Sequence, residues 1–247
     1  MASKTTSVPA STQVLFSSPY FQKKLNIPHL VIGSENIVPV PDAKNIGFIF
    51  DTVLDGKKHI NSICKAGWFH LRNIGNVRPY LDKAATERLV HAFITSKLDI
   101  NNALLYGLPD YLLKKLQLLQ NAAARMIIKA PKNCHITPVL RDLHWLPVHM
   151  RIQYKILLTV FKALNGLAPV YLEQLLVKRS NSSRSTRLNN NNVLVVRSHK
   201  DMTATWGERN FRYCAPFLWN KLPANLRTCD SLNVFKVNLK TLLFRQT

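Results

Sequence analysis

Acidic residues are scarce in this chain, and no two aspartates stand side by side. Asp and Glu total 13 against 34 Lys and Arg, a formal charge of +21 over 247 residues. A two-metal phosphoryl-transfer centre needs clustered carboxylates, whose ions stabilise the attacking and leaving oxygens. Without an Asp-Asp pair, the usual nucleus of such a centre is missing. Glycine is also sparse: the 8 present form neither a G-x-G-x-x-G turn nor a P-loop, so no phosphate-cradling motif is expected. No G-x-S-x-G elbow offers a nucleophilic serine.

Cysteine is sparse and dispersed. Cys64, Cys134, Cys214 and Cys229 form no C-x-x-C pair, which fits free thiols in a reducing compartment better than a disulfide framework. Cys134, His135, His144 and His149 have zinc-ligand chemistry, but their intervals match no common finger. No metal and no cofactor is expected. Long apolar runs are missing too, since Ile156–Phe161 is cut off by Lys162. The opening MASKTTSVPASTQ lacks the hydrophobic core of a secretory signal. These absences lead to the expectation of an intracellular protein, nuclear or cytoplasmic and not secreted, without a membrane partner or a small-molecule substrate.

What is present is a folded, basic chain. Its hydrophobic content of 47% argues against wholesale disorder. From Arg151 onward 16 Lys and Arg face 4 acids, so +12 of the +21 lies in the last 97 residues. Such a surplus repels itself unless a polyanion neutralises it. Nucleic acid suits that role because each neutralised phosphate releases condensed counterions.

The pattern divides the chain into five stretches. Residues 1–22 are rich in Ser, Thr and Pro and read as disordered or linker-like. Residues 23–55 carry short β-branched runs, HLVIG, NIVPV and NIGFIFD, which predict two or three strands paired as hairpins. Residues 56–176 turn helical. Ile60, Ile63, Cys64, Gly67, Leu71 and Ile74 share a stripe, and further helices are predicted over 84–97, 110–128, 149–164 and 169–176. Asp110 is placed as the N-cap of the third, with Leu112, Leu116, Leu119, Ala123 and Ile127 inward. Residues 177–201 form a basic loop around a strand at Val193–Val196, and 202–247 end in a helix over 231–244 capped by Ser231. The expected fold is mainly α, a bundle-like helical region with a short β-hairpin portion at its N-terminal edge.

Three groups of cations are candidate nucleic-acid contacts. Lys58, Lys65 and Arg72 recur every seven residues along one helix edge, with Trp68 beside them. Arg151, Lys155 and Lys162 fall within about 40° on the polar face of the fourth helix, at about 100° per residue. Lys178, Arg179, Arg184, Arg187, Arg197 and Lys200 lie in the basic loop, which would fold on binding. Each group reads equally well as a solvated face or an ordinary surface loop. The aromatics Trp206, Phe211, Tyr213, Phe217 and Trp219 are placed in the core rather than as stacking platforms.

The phrases LDINNALLYGLP (Leu98–Pro109), LQLLQNAAAR (Leu116–Arg125), HITPVLRDLHWLPVHMRIQYKILL (His135–Leu158) and ALNGLAPVYL (Ala163–Leu172) carry a resemblance. They are similar to the region after the catalytic palm in reverse transcriptases of non-LTR, long-interspersed-element retrotransposons of the jockey-like superfamily. The resemblance spans roughly residues 21–246. It implies the thumb and C-terminal region of an RNA-directed DNA polymerase, lacking the palm's metal-binding carboxylates and the endonuclease. In that family a Leu-Gly-Val-acid phrase, similar to NIGFIFD here, supports the primer end. Asp51 and Asp55 are read from the residues alone as turn and N-cap groups. Family members carry Lys-Thr-Glu before an apolar strand, where this chain has Ser11-Thr12-Gln13, without either charge.

The resulting expectation is a non-catalytic, nucleic-acid-binding fragment that holds a duplex of RNA, DNA or their hybrid by its backbone. The alternatives are a protein-interaction or structural module, or a decayed retrotransposon translation without function.

Overall fold

The computed structural model describes residues 13–15, 29–32, 35–131, 133–179, 192–196 and 207–246. Its mainly helical architecture, with short antiparallel hairpins on the N-terminal side, is the one expected. The chain forms two compact units, Met1–Ala66 and Gly67–Thr247.

In the first unit, β1 (Leu30–Ile32) pairs with β2 (Glu35–Ile37), and β3 (Asp42–Asn45) pairs with β4 (Phe48–Asp51). The second hairpin turns through Ile46 and Gly47, both at positive φ (46° and 83°). Two successive positive φ values match the twist of a two-residue hairpin, and the glycine adopts its value without strain. α1 (Lys57–Val77) begins in this unit. Phe48 is buried with its ring 4.0 Å from that of His59, and the Ile49 N–H donates to His59 Nδ1 at 3.4 Å. Asp51 and Asp55 serve the turn, as read: Asp51 Oδ1 accepts from the Asp55 N–H (3.0 Å) and Asp55 Oδ1 from that of Lys57 (2.8 Å).

The second unit contains the rest of α1 and the remaining helices. α2 (Lys83–Val90) starts at Asp82, whose carboxylate accepts from the Ala85 N–H at 2.6 Å. It continues through a π-helical turn, His91–Thr95, into α3 (Ser96–Asp99), so the segment predicted as one regular helix carries a bulge. Asn101, at φ 54°, reverses the chain into a 3-10 turn over Asn102–Leu105.

α4 (Asp110–Ile128) buries Leu112, Leu116, Leu119, Ala123 and Ile127, the five residues read as inward. Asp110 is its first helical residue rather than its cap. Pro109 occupies the cap position, with its fixed φ (−56°) suited to a helix entry. α5 (Ile136–Asp142) leads to α6 (Val148–Leu164), the central helix. α6 packs on α4, on α8 (Phe211–Asn220) and on α10 (Leu232–Arg245). Phe161 stacks on Phe235 of α10 at 4.2 Å.

α7 (Val170–Glu173) and α9 (Ala224–Arg227) are single turns. Ser231 precedes α10 as placed, but its side chain makes no cap hydrogen bond. The strand expected at Val193–Val196 reduces to one antiparallel bridge, Lys178 to Leu194. Asn220 substitutes for a strand partner: its side chain bonds both the N–H and the C=O of Leu194, at 2.9 and 2.8 Å. Tyr213 and Trp219 are core residues, Phe211 and Phe217 are half-buried, and Trp206 lies outside the described residues.

Candidate nucleic-acid interface

α1 presents the first group of cations on an exposed edge. Lys58 is engaged already: its Nζ lies 2.6 Å from Asp42 Oδ1 across the β3 hairpin. Lys65 is exposed in the first unit and Arg72 in the second, and neither has an ion-pair partner among the described residues. Trp68 is 45% exposed, as a stacking platform requires, although its core-type side chain would favour burial. Phe69 (59%) and Phe93 (42%) are exposed as well, with the His70 ring near both at 5.5 and 4.9 Å. Helical period alone did not single out Phe69 or Phe93.

The second group does not act as a unit. Arg151 Nη1 contacts both carboxylate oxygens of Asp99, at 2.6 and 2.7 Å, while Nε donates to the Leu146 carbonyl at 3.1 Å. Its side chain is only 14% exposed, so Arg151 ties the end of α3 and the 143–147 turn to α6. Lys155, one turn on, is exposed and has no ion-pair partner among the described residues; Lys162 is half-buried. Equal angular position on the helix therefore does not mean equal availability.

In the third group Lys178 and Arg179 are exposed beside the Leu194 bridge. Arg184, Arg187, Arg197 and Lys200 lie outside the described residues.

Lys155 borders a cavity of about 280 Å³ that sequence spacing did not suggest. α6 contributes Arg151, Tyr154, Lys155 and Leu158, α10 contributes Lys240, and the preceding segments contribute Asp99, Asn102, His144 and Leu146. Burial and the nearby Arg151 guanidinium hold the Lys240 ammonium below its ordinary pKa, while burial pushes the Tyr154 phenol up. Asn102 is 4% exposed, and its Oδ1 accepts no hydrogen bond. An unmatched buried acceptor costs about 1–3 kcal/mol.

A larger cavity, about 480 Å³, is lined by Tyr106, Asp110, His149, Glu208, Arg209 and Tyr213 among others. Burial lowers the His149 pKa, and Asp110 opposes that shift. The Cys214 thiol, pushed up to about 12 by burial, is protonated at neutral pH and unsuited to nucleophilic attack. Among the described residues, no group of three or more His, Cys, Asp or Glu could hold a metal ion. No described helix is long and apolar enough to cross a membrane.

Compared with known proteins, the chain matches no family model, no curated protein and no solved structure.

Proposed function

We propose that this chain is a non-catalytic nucleic-acid-binding protein, derived from the thumb and C-terminal region of a non-LTR retrotransposon reverse transcriptase. It holds a strand or duplex through phosphate contacts that position the polymer without reading its sequence. The supporting observation is the group of exposed helical cations that have no ion-pair partner among the described residues. Arg72 and Lys155 in the second unit, and Lys65 in the first, are exposed without an ion-pair partner among the described residues. An excess of +21 in a folded chain calls for a polyanion to neutralise it.

The test is a salt titration of binding to an RNA–DNA hybrid. Affinity should fall linearly on a logarithmic plot, with a slope of about −0.9 per neutralised phosphate. Changing Lys65, Arg72 and Lys155 together to alanine should flatten that slope. Binding that is indifferent to salt and to these residues would refute the reading.

A second reading has its own support. Trp68, Phe69 and Phe93 expose aromatic surface in the second unit, as a protein-docking face would. Docking through that surface would persist at high salt and weaken on Phe69→Ser.

A further inference from the structure

In the second unit the outer face of α1 carries aromatic rings where a solvated helix carries polar side chains. Trp68 and Phe69 are exposed, although rings of this size gain most from burial. Phe93 joins them from the π-helical turn His91–Thr95, exposed beside the buried Ile94. The His70 ring bridges the two segments: it stacks on Phe93 at 4.9 Å and 24°, and meets Phe69 edge-on at 5.5 Å. Phe69, His70 and Phe93 thus form a continuous row of rings. Arg72 follows Phe69 by three residues and Trp68 by four, the two spacings that make neighbours on a helix surface. It is exposed and has no ion-pair partner among the described residues.

The charges around the row are of one sign. α1 contains no acidic residue in its 21 positions, and the single acid of α2, Glu87, lies 3.6 Å from His91. Apolar contact alone would be indifferent to that pattern, whereas a polyanion is favoured by it. A duplex keeps its base faces within its own stack and offers these rings little. Unpaired bases present open π-faces, which stack on aromatic side chains while their phosphates follow the cations.

We infer that this face binds a single-stranded stretch of nucleic acid, with unpaired bases stacked on Trp68, Phe69 and Phe93 and a phosphate on Arg72. His70, between Phe69 and Phe93, positions those two rings. The inference rests on the nucleic-acid reading and narrows it, from a polymer held by its phosphates to one whose bases are also engaged. Stacking tolerates any base, so RNA and DNA strands both fit.

The experiment measures binding of the full chain by fluorescence anisotropy to probes on the order of ten nucleotides long. They are single-stranded RNA and DNA of one sequence, the DNA duplex, and an abasic DNA strand that keeps the phosphates and lacks the bases. Wild type should bind either intact strand about tenfold more tightly than the abasic strand, the worth of one stacked base. Trp68→Leu and Phe93→Leu keep apolar bulk without a flat ring, and each should remove most of that margin. Phe93→Tyr should retain it, and Arg72→Gln should weaken intact and abasic strands alike. Thermal melts check that these exposed substitutions leave the fold intact. Equal affinity for intact and abasic strands, or a margin that survives both leucine changes together, would overturn the inference and leave the broader function standing. Binding of no probe, the duplex included, would remove both and leave the rings to protein docking.

Discussion

Arg151 Nη1 lies 2.6 and 2.7 Å from the two carboxylate oxygens of Asp99, fifty-two positions earlier in the chain. That pair separates two residues that share one helix stripe: Arg151 is tied to the end of α3, while Lys155 is exposed without an ion-pair partner among the described residues. The distinction can be measured. Arg151→Ala and Asp99→Ala should each lower stability by about 1 kcal/mol, the value for a charge-assisted bond reduced for the exposed Asp99 side. The double variant should lose little more than either single change, as a double-mutant cycle in urea would show.

Lys155→Ala should behave in the opposite way. Its melting temperature should stay near wild type, because the side chain is exposed and has no ion-pair partner among the described residues. The salt slope for hybrid binding should fall by about 0.9, or one phosphate contact. An unchanged slope would remove Lys155 from the interface.

Gly67 is required by close packing rather than by backbone conformation. A Cβ at this position would collide with the Leu119 side chain of α4. Gly67→Ala should therefore cost about 1–3 kcal/mol as an overpacked contact, despite the better helix propensity of alanine. Adding Leu119→Ala should relieve the clash but open a void, so the pair should be less than additive in chemical denaturation.

Arg78 clamps the end of α4 from the opposite side of a 48-residue interval. Its guanidinium donates to the carbonyls of Met126 (3.0 Å), Ile127 (3.0 Å) and Leu81 (2.7 Å). Terminal helix carbonyls have no partner within the helix, and a cation beside them also complements the dipole. Arg78→Met should destabilise by about 1–3 kcal/mol, and Arg78→Lys should recover only part of this because an ammonium cannot reproduce the planar fork. Thermal unfolding of the three proteins would rank them.

His59 should make the first unit sensitive to acid. Burial lowers its pKa below the ordinary histidine value of 6.5, and its Nε2 has no partner among the described residues to stabilise a proton. The unfolded chain thus binds more protons than the folded one between the folded pKa and 6.5. In that window stability rises with pH and is lost as pH falls. Protection of the Ile49 amide, which bonds His59 Nδ1, should fall on acidification through this range once its exchange rate is corrected for intrinsic exchange. His59→Gln should remove the pH dependence that remains after correction for intrinsic exchange.

How far local pattern reaches is visible in α4 and α6. Leu112, Leu116, Leu119, Ala123 and Ile127 are inward as their spacing requires, because a 3.6-residue period places them on one stripe whatever covers it. The same holds for Ile152, Ile156, Val160 and Phe161 of α6. Cap positions were less legible. Pro109 precedes α4 in place of Asp110, and Ser231 occupies its cap without using its hydroxyl, since a cap depends on side-chain torsions that type alone does not specify.

The sequence by itself determined the helical class, the inward stripes, the N-terminal hairpins and the excess of positive charge, all of which follow from residue type and short-range period. Only the tertiary structure decided which cations are available. Arg151 is drawn to Asp99, Lys58 to Asp42 and Arg78 to the α4 carbonyls, while Gln117 Oε1 accepts the Val148 N–H at the start of α6 (2.8 Å). Lys240 meets Lys155 and Asn102 around one cavity. These pairings join distant positions, and a charge or amide finds such a partner only after the helices have packed.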